Sequence, residues 1–182
     1  QEVTRNSPMN GQMDLSLIPV GVANTVNVQY GGSTALWGSG AVGGAIHLNN
    51  VPHFGRGLHV DGGLSFGSFG DRRQRVRVEL SGDRWLTGIA AYNTDAENDF
   101  TYAVHDARGR IERTQTNAAL KRYGLLAEQH LKIDPRQRIS LRYWLQDTDR
   151  RIPPTRLQEH SSAYQLDASH RLMAEWQRSR NK

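Results

Sequence analysis

The strongest constraint on the fold is an alternation of apolar and polar residues that recurs through the second two thirds of the chain. Alternation with a period of two predicts β-strands that have one apolar and one polar face. A further segment, 85–92, is apolar on both faces and is a less regular strand. The alternating segments are residues 58–66, 75–80, 123–132, 138–146 and 164–177.

The length of these segments favours a membrane barrel over a soluble sandwich. Strands of soluble proteins average about five to six residues, whereas a transmembrane β-strand needs about 9 to 11. In such a barrel the apolar side chains face lipid and the polar ones face a wet interior. Leu166 is then predicted to face lipid and Asp167 the interior, so that Leu166→Arg impairs insertion and Asp167→Arg is tolerated.

The connections between the segments support the same prediction. Short turns at 81–84 and 134–137 alternate with long polar loops at 97–120 and 147–162. Outer-membrane barrels alternate short periplasmic turns with longer extracellular loops. Trp85 and Trp176 fall beside the predicted turns, and Tyr123 and Tyr164 beside the loops, as expected for aromatic girdles at the two membrane boundaries. About six strands cannot close such a barrel, so we expect the chain to be a fragment.

Composition argues against several other classes of function. The net charge of +5 arises mainly from arginines, but these alternate with apolar and acidic residues, which is typical of a polar sheet face. Cysteine is absent, as are the motifs GxSxG and HExxH, and no apolar run is long enough for a membrane helix. We expect no enzyme activity, metal, cofactor or nucleic-acid partner. A basic nucleic-acid-binding module and a soluble all-β ligand-binding domain of lipocalin type are the alternatives, and the latter predicts that Leu166, Leu172 and Trp176 are shielded by protein.

A glycine-rich segment, 30–48, precedes the alternating region. Gly38, Gly40 and Gly43 fit the spacing GxGxxG, but a dinucleotide site needs a strand that leads directly into a helix. Here the following residues, AIHLNN, read as extended chain, and no Gly-Lys-Ser/Thr ends the run. The glycines therefore indicate closely packed backbone rather than phosphate binding.

The stretch IPVGVANTVNVQYGGSTALWGSGAVGGAIHLNN, residues 18–50, resembles the end of the plug domain of TonB-dependent outer-membrane receptors of the cobalamin- or siderophore-receptor type. Thr25, Val26 and Asn27 depart from the Arg-Ile-Glu that is common in the family. Segments 98–100 and 151–154 resemble loop entries of receptors from Bacteroidota. The main carriers of the plug motif are Gly31, Ser33, Ala35, Gly38, Gly40, Ala41, Gly43 and Gly44.

The resemblance implies a mainly β fold: the C-terminal part of an α+β plug domain over residues 1–55, then about six antiparallel strands of an incomplete transmembrane β-barrel over 56–182. It also implies a location in the outer membrane of a Gram-negative bacterium, in contact with its lipid. The implied function is import of a ferric siderophore, haem or cobalamin, driven by TonB, its inner-membrane energising complex and the proton gradient. The candidate ligand contacts, in a plug loop and a long barrel loop, are Asn10, Gln12, Met13, Tyr102 and Arg108.

Overall fold

The structure, a computed structural model, describes residues 23, 25–31, 44–106, 109–155, 158 and 160–179. The chain divides into two compact units, residues 1–53 and 54–182. Every strand pair in the described residues is antiparallel, and these residues contain no helix, which confirms the prediction of a mainly β protein. Accordingly, no helix in the described part of the chain is long and apolar enough to cross a membrane.

The first unit contains a pair of short strands that overlap the two ends of the glycine-rich segment. β1 (Thr25–Tyr30) pairs with β2 (Gly44–Asn49), and Tyr30 lies opposite Gly44. Gly31 follows β1 with a φ of 89°, a conformation that residues with a side chain rarely adopt. The chain after the glycines is thus a strand, as predicted, and not the helix that a dinucleotide site requires. The other motif residues before Gly44 lie outside the described residues.

The second unit is built on one six-stranded sheet with the order β10-β9-β8-β5-β4-β3. A separate two-stranded sheet, β6 and β7, lies within the connection between β5 and β8. The sheet is open, and β3 and β10 are its edges within the described residues. The strands are β3 (Gly57–Phe66), β4 (Arg72–Ser81), β5 (Trp85–Ala96), β6 (Thr101–Asp106), β7 (Gly109–Thr114), β8 (Leu120–Asp134), β9 (Gln137–Arg151) and β10 (Tyr164–Arg178).

The two ends of the six-stranded sheet differ in their connections. The turns at 82–84 and 135–136 lie at one end, which we call the turn end. The connections 67–71, 97–119 and 152–163 lie at the other, which we call the loop end. The predicted alternation of short and long connections is therefore present.

The bounds of the two long connections were predicted wrongly. The segment predicted as a polar loop at 97–120 contains the hairpin β6–β7, in which Val104 lies opposite Ile111 and Gly109 has a φ of 114°. The predicted loop at 147–162 begins later, because β9 continues to Arg151 in register with Tyr164 of β10. Ladder hydrogen bonds extend β9 through a polar sequence whose alternation is weak.

The strand register sorts the side chains of the six-stranded sheet onto two faces. One, the apolar face, carries the even positions of β3, β4 and β10 and the odd positions of β5, β8 and β9. The other, the polar face, carries the remaining positions. The buried residues lie on the polar face, among them Leu86, Ala90 and Tyr92, which explains why β5 is apolar on both parities.

Candidate functional site

A set of ion pairs crosses the middle of the polar face. The Arg77 guanidinium donates to Glu79 Oε1 through Nε, at 2.6 Å, and to Glu128 Oε2 through a terminal nitrogen, also at 2.6 Å. Arg142 donates to Glu128 Oε1 at 3.2 Å and to Glu175 Oε2 at 3.2 Å. These five residues, the ion network, connect side chains of β4, β8, β9 and β10.

Small residues on β5 make this network possible. Gly88 lies in register between Glu79 of β4 and Glu128 of β8, and Ala90 lies opposite Arg77. Neither residue has a side chain that would stand between β4 and β8. The Arg77 side chain can therefore extend across β5 and reach Glu128, 51 positions away in sequence.

A second buried cluster lies on the polar face, nearer the loop end. Tyr92 donates its hydroxyl hydrogen to Gln146 Oε1 at 2.7 Å, and the Trp144 indole N–H lies 3.4 Å from the Tyr92 oxygen. The Arg171 guanidinium stacks 4.7 Å from the centre of the Trp144 ring. Gly124 is in register between Tyr92 and Gln146, and the tyrosine ring covers it.

Gly124→Ala is expected to lower the free energy of unfolding by about 2 kcal/mol, because overpacked buried sites cost on the order of 1–3 kcal/mol. An added Cβ would overlap the phenol ring of Tyr92 and displace it from Gln146. Urea unfolding followed by tryptophan fluorescence measures the change.

The matched control is Gly88→Ala, on the same face of the adjacent strand. A Cβ there meets Glu79 and Leu86 at ordinary contact distances of 3.5 and 3.7 Å, so we expect a neutral effect or a gain of about 0.5 kcal/mol. In a Tyr92→Ala background, Gly124→Ala should lower the free energy of unfolding only slightly, because the ring that the added Cβ would overlap is absent. Equal losses of unfolding free energy for Gly124→Ala and Gly88→Ala would show that the Tyr92 ring does not need the space above Gly124.

A serine, a histidine and a glutamate also meet on this face. Ser140 Oγ lies 2.8 Å from His130 Nδ1, and Glu128 Oε1 lies 3.9 Å from His130 Nε2. The second distance is too long for the hydrogen bond that orients the histidine of a hydrolase. Ser140 and His130 are each only 1% exposed, so a substrate could not reach them. We interpret the group as part of the buried packing.

Positive charge predominates on the polar face. Arginine guanidinium groups remain charged in proteins, so this face is a positive, strongly polar surface. The acidic residues on it are Asp61, Glu79, Glu128, Asp167 and Glu175. The basic ones are Arg73, Arg75, Arg77, Arg122, Lys132, Arg138, Arg142, Arg150 and Arg171.

The apolar face carries large side chains that are exposed. Four rows across the sheet contain mainly Val, Leu, Ile, Ala and aromatic residues, and one of these rows is Val60, Val78, Ile89, Ala127, Tyr143 and Leu172. At the turn end the last row contains Trp85, Leu131, Ile139 and Trp176. These four rows form the belt. At the loop end it is followed by a mixed row, Leu64, Gln74, Asn93, Tyr123, Asp147 and Ala168. A charged row comes next, with Arg72, Asp95, Lys121 and Asp149 between Phe66 and Leu166.

Of the five predicted ligand contacts, the structure describes Tyr102. Its ring lies 6.0 Å from that of Phe100, which lies 5.6 Å from that of Phe69 in the connection between β3 and β4. The three rings form a partly exposed aromatic row at the loop end. Asn10, Gln12, Met13 and Arg108 lie outside the described residues.

In the part of the chain that the structure describes, no three histidine, aspartate or glutamate side chains are grouped closely enough to hold a metal ion.

The sequence predicted a face of outward apolar side chains, but it did not identify the ion network or the Tyr92 cluster. Comparison of the chain with protein-family models and with curated proteins gave no significant match.

Proposed function

We propose that the chain is part of a TonB-dependent outer-membrane receptor, with residues 1–55 in the plug and 56–182 in the first barrel strands. The observation that carries this proposal is the inverted arrangement of the six-stranded sheet. Large apolar side chains are exposed on one face, while Glu79, Glu128 and Arg122 are buried on the other. In water the exposed apolar area would be unfavourable, whereas against lipid hydrocarbon it is favourable.

The size of the apolar belt fits an outer membrane. On β8 the four apolar rows extend from Leu131 to Leu125, which at about 3.3 Å per residue is roughly 20 Å along the strand. The mixed row of Tyr123 extends this length to roughly 26 Å. With a strand tilt of about 40° the two lengths correspond to roughly 15 Å and 20 Å along the membrane normal, and the longer one approaches the apolar band of about 25 Å in known barrels. Tryptophans border the belt at the turn end and charges at the loop end.

The polar side chains within the belt are paired with each other. Thr87 donates to Gln129 Oε1 at 2.5 Å, and the Tyr143 hydroxyl lies 2.7 Å from His170 Nδ1. Both pairs lie on the apolar face. Polar groups in hydrocarbon are costly unless they are hydrogen-bonded, so this pairing supports a lipid-facing surface.

The lipocalin alternative predicts the opposite exposure. Leu166, Leu172 and Trp176 would then be shielded by protein, but they are 66%, 68% and 63% exposed. A ligand-binding calyx would also need an apolar inner face, whereas the buried face of this sheet is rich in arginine. The burial pattern favours the membrane proposal.

The proposed activity is active import of a scarce nutrient chelate or cofactor, such as a ferric siderophore, haem or cobalamin. TonB and its energising complex would drive it through the plug. The polar face would line the wet interior, and the aromatic row Phe69, Phe100 and Tyr102 at the loop end would be the described part of a ligand-binding surface. The proposed role is transport and involves no catalytic step.

Heat modifiability tests the barrel. The receptor that contains this chain, extracted from outer membranes in mild detergent, should migrate faster on SDS gels before boiling than after it. An extract that is soluble without detergent, or that migrates identically in both conditions, would contradict the proposal.

Growth assays test the transport function. In a strain that lacks its own receptors, expression should restore growth on one of three limiting sources, namely a ferric siderophore, haem or cobalamin, and only when TonB is present. Restoration without TonB, or growth on none of the three by a correctly inserted barrel, would contradict this part of the proposal.

A further inference from the structure

We propose that the turn end of the six-stranded sheet binds the headgroups of anionic phospholipids. This inference rests on the barrel proposal, which places the turn end at a boundary between lipid and water. It names the lipid class that the boundary prefers, which the barrel proposal leaves open.

Exposed arginines are concentrated at the turn end. Arg84 lies in the β4–β5 turn, Arg136 in the β8–β9 turn, Arg56 directly before β3, and Arg178 at the end of β10. All four are exposed. The acidic residues at these two turns are Asp83, in the β4–β5 turn, and Asp134, the last residue of β8.

Hydrogen bonds hold these residues against the end of the sheet. Arg84 donates to the Ile133 carbonyl at 2.7 Å, and the Arg56 backbone N–H donates to Ser81 Oγ at 3.1 Å. The Asp134 carboxylate accepts the Arg136 backbone N–H at 2.7 Å, so this acid is occupied in the turn. A guanidinium has five N–H donors, and one bond to a carbonyl leaves donors on Arg84 that can bind a phosphate.

The tryptophans add a second kind of headgroup contact at the same level. The Trp85 ring lies over Gly82, beside the segment that carries Arg56, and Trp176 lies one row from Arg178 on the apolar face. Indole rings favour the membrane boundary because they combine an apolar body with one N–H donor. Arginine and indole donors together suit the phosphate of a lipid whose acyl chains lie along the apolar face.

Among the described residues, the loop end has no comparable surplus of positive charge. Its boundary row alternates in sign through Arg72, Asp95, Lys121 and Asp149. Arg151 lies 3.5 Å from the Asp149 carboxylate. A row with balanced charge gains little from a negatively charged surface, so the preference for anionic lipid belongs to the turn end alone.

Lipid selectivity tests this inference. The refolded receptor is placed in phosphatidylcholine vesicles at low salt. One set of vesicles contains brominated phosphatidylglycerol and the other contains brominated phosphatidylcholine. Quenching of tryptophan fluorescence by the bromine atoms measures how tightly each lipid binds. We expect phosphatidylglycerol to bind about tenfold more tightly than phosphatidylcholine, because each arginine at the turn end is attracted to the negatively charged headgroup. Arg84→Gln with Arg178→Gln should bring the two lipids close to equal binding, and high salt should weaken the wild-type preference.

The matched control removes the same charge at the other boundary. Arg72→Gln with Arg151→Gln should keep the wild-type selectivity. Equal binding of both lipids by a heat-modifiable wild type, or unchanged selectivity in the turn-end variant, would overturn the lipid surface and leave the barrel intact. A wild type that never becomes heat-modifiable would overturn both.

Discussion

Glu128→Gln is expected to lower the free energy of unfolding by about 3 kcal/mol, because breaking a buried ion pair leaves a charge without its compensating partner. The Glu128 side chain is only 2% exposed and accepts hydrogen bonds from both Arg77 and Arg142. Glutamine preserves the size of the side chain but removes the negative charge between two guanidinium groups. Urea unfolding of the refolded receptor measures the loss.

Glu175→Gln is the matched control at the outer end of the same network. Its side chain is 44% exposed and contacts Arg142 alone among the network residues, at 3.2 Å. Exposed ion pairs contribute about 0–1 kcal/mol, so we expect a loss of less than about 1 kcal/mol. Similar losses for the two variants would show that Glu128 is not the centre of the network.

The sequence predicted the six strands of the large sheet, and the faces of those that alternate, but not the network. Period-two alternation assigned Arg77 and Glu79 to one face and Val76 and Val78 to the other, as the structure shows. Which residues meet across strands depends on register, and the partners Arg77 and Glu128 belong to strands separated by the β6–β7 hairpin. The register that brings Arg77 and Glu128 together cannot be derived from the residue pattern of either strand alone.

The missed hairpin has a different cause. β6 and β7 are six residues each and mix apolar and charged side chains, so their alternation is too short to stand out from a polar loop. The aromatic row depends on this hairpin, because it joins Tyr102 of β6 to Phe69, 33 positions earlier in the sequence. Tyr102 could be proposed from the sequence as a contact, but its aromatic neighbours could not.

Leu172→Arg is expected to impair barrel insertion and to cost about 2–4 kcal/mol, the range for a basic residue at the bilayer midplane. Leu172 is 68% exposed on the apolar face and lies in the row of Val60, Val78, Ile89, Ala127 and Tyr143. An arginine there would have to enter hydrocarbon or distort the bilayer. The heat-modifiable fraction and the free energy of unfolding in vesicles both measure the effect.

Leu166→Arg is the control for depth, on the same strand and the same face. Alternation alone predicts that it should impair insertion as well, but the register places Leu166 beside Asp149 in the charged row at the loop end. Near the membrane boundary an arginine costs only about 0–1 kcal/mol, and Asp149 offers it a partner. The barrel should therefore still insert with Leu166→Arg but not with Leu172→Arg. Equal insertion of the two variants would show that depth in the membrane does not correspond to these rows of the sheet.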